Sequence, residues 1–217
     1  MSSHPVVDMT LLTLRVGAVA IALILPPAVA IGYLLARKRF RGRALVQALV
    51  ALPMVLPPVA VGLGLLMILS QLGSLGKNIV FSWLAAVLAA AVVGFPLLAR
   101  SCEQSFAEID PRYEDVSRSL GLGRIATFFR VSLPLARRGV LYGTLLSFTR
   151  AMGEFGATAL VAGILPGRTE TLALGIWSRV QLGDDRAALI LCATSFTIAL
   201  ASMLIAEGIL RRDRSRS

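Results

Sequence analysis

Two charged residues, Arg150 and Glu154, stand inside an otherwise apolar stretch, FTRAMGEFGATAL at 148–160. On a helix, residues four apart share a face, so the guanidinium and the carboxylate can pair. A charge at membrane depth costs at least about 2.5 kcal/mol, and we therefore expect both side chains to face the interior of a helical bundle. Gly153 and Gly156 flank Glu154 and permit a kink or a close helix approach. Two interpretations stay open: a path or gate for an anion, which Arg150 attracts and Glu154 keeps from binding too tightly, or an ion pair that only fixes helix register.

A second polar group forms a loop between apolar segments, YEDVSRSLGLGRIATFFRVSLP at 113–134. Asp110 and Pro111 predict a helix start, and Gly121 predicts its end. A second short helix is predicted over about 124–132. The loop carries many apolar side chains for its length, namely Val116, Leu120, Ile125, Phe128 and Phe129. A groove on a partner protein would explain them; the alternative is packing on the chain's own helices or on the membrane surface.

The chain lacks the residue sets of most other chemistries. One histidine and two distant cysteines, Cys102 and Cys192, exclude a motif-based zinc site. The segment GSLGKN at 73–78 lacks the spacing and the hydroxyl of a phosphate-binding loop. No nucleophile motif or Ser/His/Asp set is present. We therefore expect no catalytic residue, no metal ligand and no cofactor-binding residue in this chain.

The elements that position these residues are apolar helices. The chain has 217 residues, 56% of them hydrophobic, and a mean hydropathy of +0.78. A bilayer-crossing helix needs about 20 mostly apolar residues, and the candidate windows are Thr10–Ala36, Ala44–Leu72, Ile79–Leu98, Gly139–Ile164 and Ala187–Leu210. We predict an all-α fold, a polytopic integral membrane helical bundle of about five transmembrane helices. One domain over 1–217 is expected, with its long loop at about 100–134.

Proline interrupts the second window, ALPMVLPPVAVGLGLL, at Pro53, Pro57 and Pro58. Proline removes a backbone donor and clashes with the preceding turn, so a helix break is predicted near Pro57. Such a break is typical of a segment near a pathway, although a tolerated kink is an equal alternative. The segment after Ile164 is more polar and predicts a short interfacial helix, either a contact for a binding protein or a plain connector.

The net charge of +10 is unevenly distributed along the chain. Sixteen Lys and Arg residues follow the first, third and fifth windows, whereas four lie in the other loops. This asymmetry places the N-terminus outside and the C-terminus in the cytoplasm. It also argues against nucleic acid as the partner that explains the charge.

The spacing of Glu114, Gly121, Val131, Leu133 and Pro134 resembles the "EAA" loop of permease subunits of ABC importers. In place of the two alanines that usually follow the glutamate, this chain has Asp115 and Val116. The resemblance implies that the loop docks on a separate ATPase.

A second resemblance covers about Leu11 to Ile209. The strings RAMGEFGAT, LPMVLPPVAVG and PGRTETLALGIW are similar to those of molybdate, tungstate and sulfate ABC permeases, most of all the molybdate branch. It implies a homodimer with a gated path at its interface. It also implies two cytoplasmic ATPase subunits that bind ATP and Mg²⁺, an extracytoplasmic solute-binding protein, and a bacterial cytoplasmic membrane.

Several functions remain open at this point. Molybdate is the first expectation for the transported oxyanion, and sulfate, thiosulfate or tungstate are the alternatives. A membrane scaffold without transport of its own is a different class. A channel or secondary transporter that works without an ATPase is another.

Overall fold

The computed structural model describes the backbone of residues 5–214 and the side chains of residues 5–208. This part of the chain is helical, without strands. Five longer helices carry the architecture: α1 (Pro5–Arg37), α2 (Arg43–Val55), α3 (Pro58–Gln71), α5 (Trp83–Ala107) and α8 (Leu133–Met152). The chain ends in a further long helix, α11 (Asp185–Arg214), and shorter helices connect these elements: α4 (Ser74–Ile79), α6 (Arg112–Ser119), α7 (Arg124–Thr127), α9 (Gly156–Val161) and α10 (Leu172–Gln181).

Helices α1 and α5 pack side by side and run in the same direction. At the first residue of α5, the guanidinium of Arg15 of α1 lies 4.1 Å from the centre of the Trp83 ring. Near their last residues, Gly32 lies against Cys102 so closely that a Cβ there would overlap it. Met9 and Arg37 lie near the two ends of α1. We therefore call the two ends of the bundle the Met9 end and the Arg37 end.

Because α1 and α5 are parallel, the chain between them must return from the Arg37 end to the Met9 end. Helices α2 and α3 make this return as a broken pair bent by 110°. The pair starts at the Arg37 end, where the Gln47 amide donates to a Glu103 carboxylate oxygen at 2.6 Å. Pro57 precedes the first residue of α3, so the break falls at the proline pair.

Helix α8 runs back along α5 in the opposite direction. The Ser101 hydroxyl donates to the Gly139 carbonyl at 3.0 Å, and the Ser147 hydroxyl donates to the Gly94 carbonyl at 2.7 Å. Gly139 and Gly143 lie directly against serines of α5, which lets the two backbones approach closely. Alanines of α5 fill the centre of the bundle, and Ala85, Ala86 and Ala89 are fully buried.

Helix α10 begins at the Met9 end, where Met9, Leu172 and Leu191 form a small buried cluster. From there α11 extends for 30 residues alongside α8. By length and hydropathy, three described helices suffice to cross a membrane: Pro5–Arg37, Trp83–Ala107 and Asp185–Gly208. The broken pair α2–α3 makes a fourth passage if its two halves cross as one span. The arginine-bearing α8, which runs antiparallel to α5, would be the fifth of the predicted passages.

Candidate functional site

Glu114, on the first turn of α6, is buried and joins three elements at the Arg37 end. Its carboxylate accepts from Arg37 of α1 at 2.8 Å and from the Ser132 hydroxyl, which precedes α8, at 2.8 Å. Tyr33 of α1 and Arg118 of α6 each donate to the second oxygen at 3.2 Å. We call this group of five side chains the Glu114 hub. It fixes the 110–134 segment to α1 and to the start of α8.

The protonation state of Glu114 follows from these contacts. Burial alone would raise its pKa. The hydrogen bonds from Arg37, Ser132 and Tyr33, together with the Arg37 charge, outweigh burial and hold the pKa of Glu114 below its usual value. The carboxylate is therefore charged at neutral pH.

The 110–134 segment folds as two short helical pieces around a glycine turn. The Asp110 carboxylate accepts from the Arg112 N–H at 2.9 Å and starts α6, as predicted. Gly121 has φ +88° and ends α6 in the left-handed region that glycine adopts without strain. The second piece begins as α7 but continues as a π-helix over Phe128–Ser132.

This segment has an exposed apolar surface, its exposed face. The exposed apolar side chains are Tyr113, Val116, Leu120, Ile125 and Phe129. Asp115 is exposed as well, with 71% of its side chain accessible. The remaining residues of the predicted loop motif lie where the segment joins α8: Val131 and Leu133 are half-buried, and Pro134 is exposed in the first turn of α8. The motif thus divides into an internal anchor, Glu114, and an exposed surface.

Arg150 and Glu154 form the predicted ion pair, with 3.0 Å between Nη1 and Oε2. Helix α8 ends at Met152, with Gly153 as its C-cap. The second Glu154 oxygen accepts from the Ala157 N–H at 2.8 Å and so caps the start of α9. The Trp177 ring of α10 packs on Phe155, 5.4 Å away, and covers this junction.

The two broken passages meet at their breaks. A Cβ on Gly62 of α3 would lie 2.7 Å from the Ala157 Cα, and one on Gly156 would lie 3.0 Å from the Pro58 Cβ. The start of α3, immediately after the proline break, therefore packs on the start of α9, immediately after Glu154. The structure brings the predicted proline group and the Arg150–Glu154 group into contact.

Two sequence-based expectations need correction. Glu154 is 2% exposed, whereas Arg150 is 43% exposed, so only the carboxylate faces the interior of this chain. The fourth passage is not one helix over Gly139–Ile164, because α8 ends at Met152 and Glu154 takes up the Ala157 N–H beyond the break. The short helix predicted over about 124–132 does form, as α7 followed by a π-helix over Phe128–Ser132, and the Ser132 hydroxyl donates to Glu114.

Sequence reasoning did not find the partners of Glu114. Tyr33, Arg37 and Ser132 are far from Glu114 in the chain, and Arg37 was counted only as one of the charges that flank the first passage. A signal was present nonetheless. Arg37 directly follows an apolar run, so its stem lies in the bundle and its charge needs a nearby partner.

The chain matches the model of the family described as "Binding-protein-dependent transport system inner membrane component" over residues 28–215. It belongs to that family. It is 38% identical over 216 residues to the molybdenum transport system permease protein ModB of Escherichia coli strain K12, across 95% of this chain and 94% of the relative.

A second relative agrees with this membership, and a solved structure agrees with the fold. The chain is 34% identical over 185 residues to the sulfate transport system permease protein CysT of the same strain, across 82% of this chain and 64% of the relative. The fold resembles a chain of the MetNI methionine ABC transporter in an inward-facing conformation, with a TM-score of 0.67, 18% identity and 94% coverage of both chains.

Proposed function

We propose that this chain is the transmembrane subunit of an ABC importer that moves an oxyanion, first of all molybdate, across a bacterial cytoplasmic membrane. ATP and Mg²⁺ would be bound by separate ATPase subunits, and a solute-binding protein would deliver the anion from outside. The observation that carries the choice of molybdate is the 38% identity to a molybdenum permease over nearly the whole of both chains.

The position of Arg150 supports a role in translocation. Phe148 and Met152, which flank Arg150, pack on Gly17, in the half of α1 toward the Met9 end and within the window Thr10–Ala36 that is predicted to cross the membrane. A half-exposed guanidinium at this depth is unfavourable against lipid. We infer that a second copy of this chain covers it and that Arg150 lines a path between the two copies, where it attracts the anion.

The exposed face of the 110–134 segment supports the ATPase as a partner. Tyr113, Val116 and Leu120 are more than half exposed, and a groove on another subunit could accept them. The Glu114 hub would pass a movement of this segment to α1 and α8. In this proposal Glu114 is a positioning residue and does not contact the ATPase.

Uptake of radiolabelled molybdate by cells with and without this gene tests the proposal. Loss of molybdate uptake alone would support both class and cargo. Loss of sulfate uptake instead would keep the class and change the cargo, in agreement with the similarity to a sulfate permease. Uptake of molybdate, sulfate and tungstate that is unchanged in the deletion strain would contradict an oxyanion importer.

Arg150→Gln tests the path. Loss of a charge-assisted hydrogen bond to the anion, worth about 1.5 kcal/mol, lowers uptake by about tenfold. Arg39→Gln is the matched control, because it removes one positive charge from an exposed residue of the connection between α1 and α2. Uptake that stays unchanged in Arg150→Gln at equal protein yield would leave only the register-fixing interpretation.

A further inference from the structure

A pocket of about 790 Å³ opens at the Arg37 end, between the last turns of α1 and the start of the second helical piece of the 110–134 segment. Helix α1 supplies Ala30 and Leu34 to its wall, Lys38 lines it directly after the end of α1, and the segment supplies Arg124 and Phe129. The pocket is separate from the Arg150–Glu154 pair, which lies deeper in the bundle.

The pocket carries a strong excess of positive charge. Four cationic side chains line it, Arg37, Lys38, Arg118 and Arg124, against the single carboxylate of Glu114, an excess of three. Both oxygens of that carboxylate already accept hydrogen bonds within the Glu114 hub.

Two of these cations have no partner among the residues that the structure describes. Lys38 and Arg124 are exposed and make no side-chain hydrogen bond or ion pair with the residues that the structure describes. Nη2 of Arg37 is buried and also lacks a hydrogen-bond acceptor among them. An anion in the pocket would satisfy Lys38 and Arg124 and would reduce the uncompensated charge beside Arg37.

Part of the pocket wall is apolar. Ala30 and Leu34 belong to the last turns of α1, which is long and apolar enough to cross a membrane, and Phe128 and Phe129 also line the pocket. Leu34 and Phe129 are exposed, at 37% and 60%. A ligand that matches this wall has an anionic group at one end and a hydrocarbon chain at the other.

We propose that this pocket binds an anionic phospholipid. Its phosphate would lie between Lys38 and Arg124, and an acyl chain would lie along Ala30 and Leu34 of α1. Clusters of Lys and Arg at the end of a membrane helix recognise such headgroups. An acidic peptide of the ATPase would match the cations, but it would not explain the apolar wall on a membrane-crossing helix.

The inference rests on the proposed function only in placing the Arg37 end at the cytoplasmic surface of the membrane. It does not depend on the transported anion. A lipid in this pocket touches both α1 and the 110–134 segment, so anionic lipid would hold the segment against the bundle beside the Glu114 hub.

Native mass spectrometry of the purified full-length chain, titrated with phosphatidylglycerol or phosphatidylcholine, tests the site. The informative variant is Lys38→Gln/Arg124→Gln, which leaves the Glu114 hub intact. Its matched control is Arg39→Gln/Arg112→Gln, which removes two exposed charges that are close in sequence but do not line the pocket. Elution and melting temperature of each variant confirm folding.

We expect phosphatidylglycerol to bind more tightly than phosphatidylcholine, and the pocket variant to lose about tenfold in affinity while the control loses less than about twofold. Equal losses in both variants would mean diffuse attraction and would overturn the site. Millimolar inorganic phosphate is tested as a competitor. If it displaces phosphatidylglycerol, and if it also binds the protein when phosphatidylcholine is the only lipid, the ligand is a free anion. Loss of lipid when the ATPase is added would assign the pocket to that partner.

The lipid titration and the uptake assay fail independently. A chain that binds phosphatidylglycerol in this pocket but carries no molybdate would refute the proposed cargo and leave the lipid site standing. Normal molybdate uptake in a chain without selective lipid binding would refute the lipid site and leave the proposed cargo standing.

Discussion

A buried carboxylate is stable only when its surroundings replace the water that it has lost. Glu114 is 2% exposed and receives hydrogen bonds from two arginines, a tyrosine and a serine. Arg37 and Arg118 also supply opposite charge. Since these donors come from α1, α6 and the residue before α8, the carboxylate links elements that are otherwise separate in the sequence.

Glu114→Gln is therefore expected to destabilise the protein by about 3 kcal/mol, because it leaves Arg37 buried without its counter-charge. The melting temperature in detergent measures this loss. Asp115→Asn is the control: it removes a carboxylate from the next residue, which is exposed. Equal melting temperatures for the two variants would show that the hub does not stabilise the fold.

The contribution of Glu114 should depend on pH in one direction. Its pKa in the folded chain lies below the ordinary glutamate value. The stabilisation is then fully present above the unfolded pKa, about 4.3, and is lost as the pH falls through the folded pKa. The melting-temperature difference between wild type and Glu114→Gln should stay constant from neutral pH to about pH 5 and shrink in stronger acid. A difference that already shrinks between pH 7 and pH 6 would contradict a lowered pKa.

Contacts between residues close in the sequence could be predicted here, but contacts between distant residues could not. Arg150 and Glu154 are four residues apart, and this spacing predicted their ion pair. The contact of Glu114 with Arg37 joins residues 77 apart, and no local pattern encodes it. The exposure of Arg150 was also missed, since a rule for membrane charges does not distinguish the interior of one subunit from an interface between two.

At the scale of elements, the two broken passages support each other. A helix broken inside a membrane leaves backbone groups without partners, and these need protein or water nearby. Glu154 takes up one of them at the start of α9, and the packing of α3 on α9 covers the rest of the junction. The prolines predicted where α3 would begin. The bend of 110° and the contact with α9 depend on tertiary packing and were not predictable.

Gly62→Ala should destabilise this junction. A Cβ at Gly62 would lie 2.7 Å from the Ala157 Cα and 2.9 Å from its carbonyl oxygen, so α3 and α9 would have to separate. Overpacking of this kind costs about 1–3 kcal/mol. Gly64→Ala is the control, because a Cβ there meets nothing within 4 Å. Melting temperatures and uptake of both variants measure the effect, and a Gly62→Ala protein as stable and active as Gly64→Ala would refute the close packing.

At the scale of the molecule, the parallel packing of α1 and α5 decides the topology. Two parallel helices that each span the bundle require a return between them, so α2 and α3 together must cross from the Arg37 end to the Met9 end. Taken alone, a 110° bend would equally suit a re-entrant loop. The sequence predicted five passages from hydropathy, and the packing of α1 on α5 supplies the physical reason for the second one.

Substituted-cysteine labelling tests this topology together with the orientation given by the charge asymmetry. The background is Cys192→Ser, which leaves only the buried Cys102. Leu75 on α4 is 67% exposed at the Met9 end, and Arg41 is exposed between α1 and α2. In intact cells a membrane-impermeant maleimide should label Leu75→Cys, whereas Arg41→Cys should react only after permeabilisation, because basic residues remain in the cytoplasm.

Labelling of both sites from the same side would make α2 and α3 re-entrant. The reverse pattern would keep five passages and invert the protein in the membrane, placing the exposed face of the 110–134 segment out of reach of a cytoplasmic ATPase.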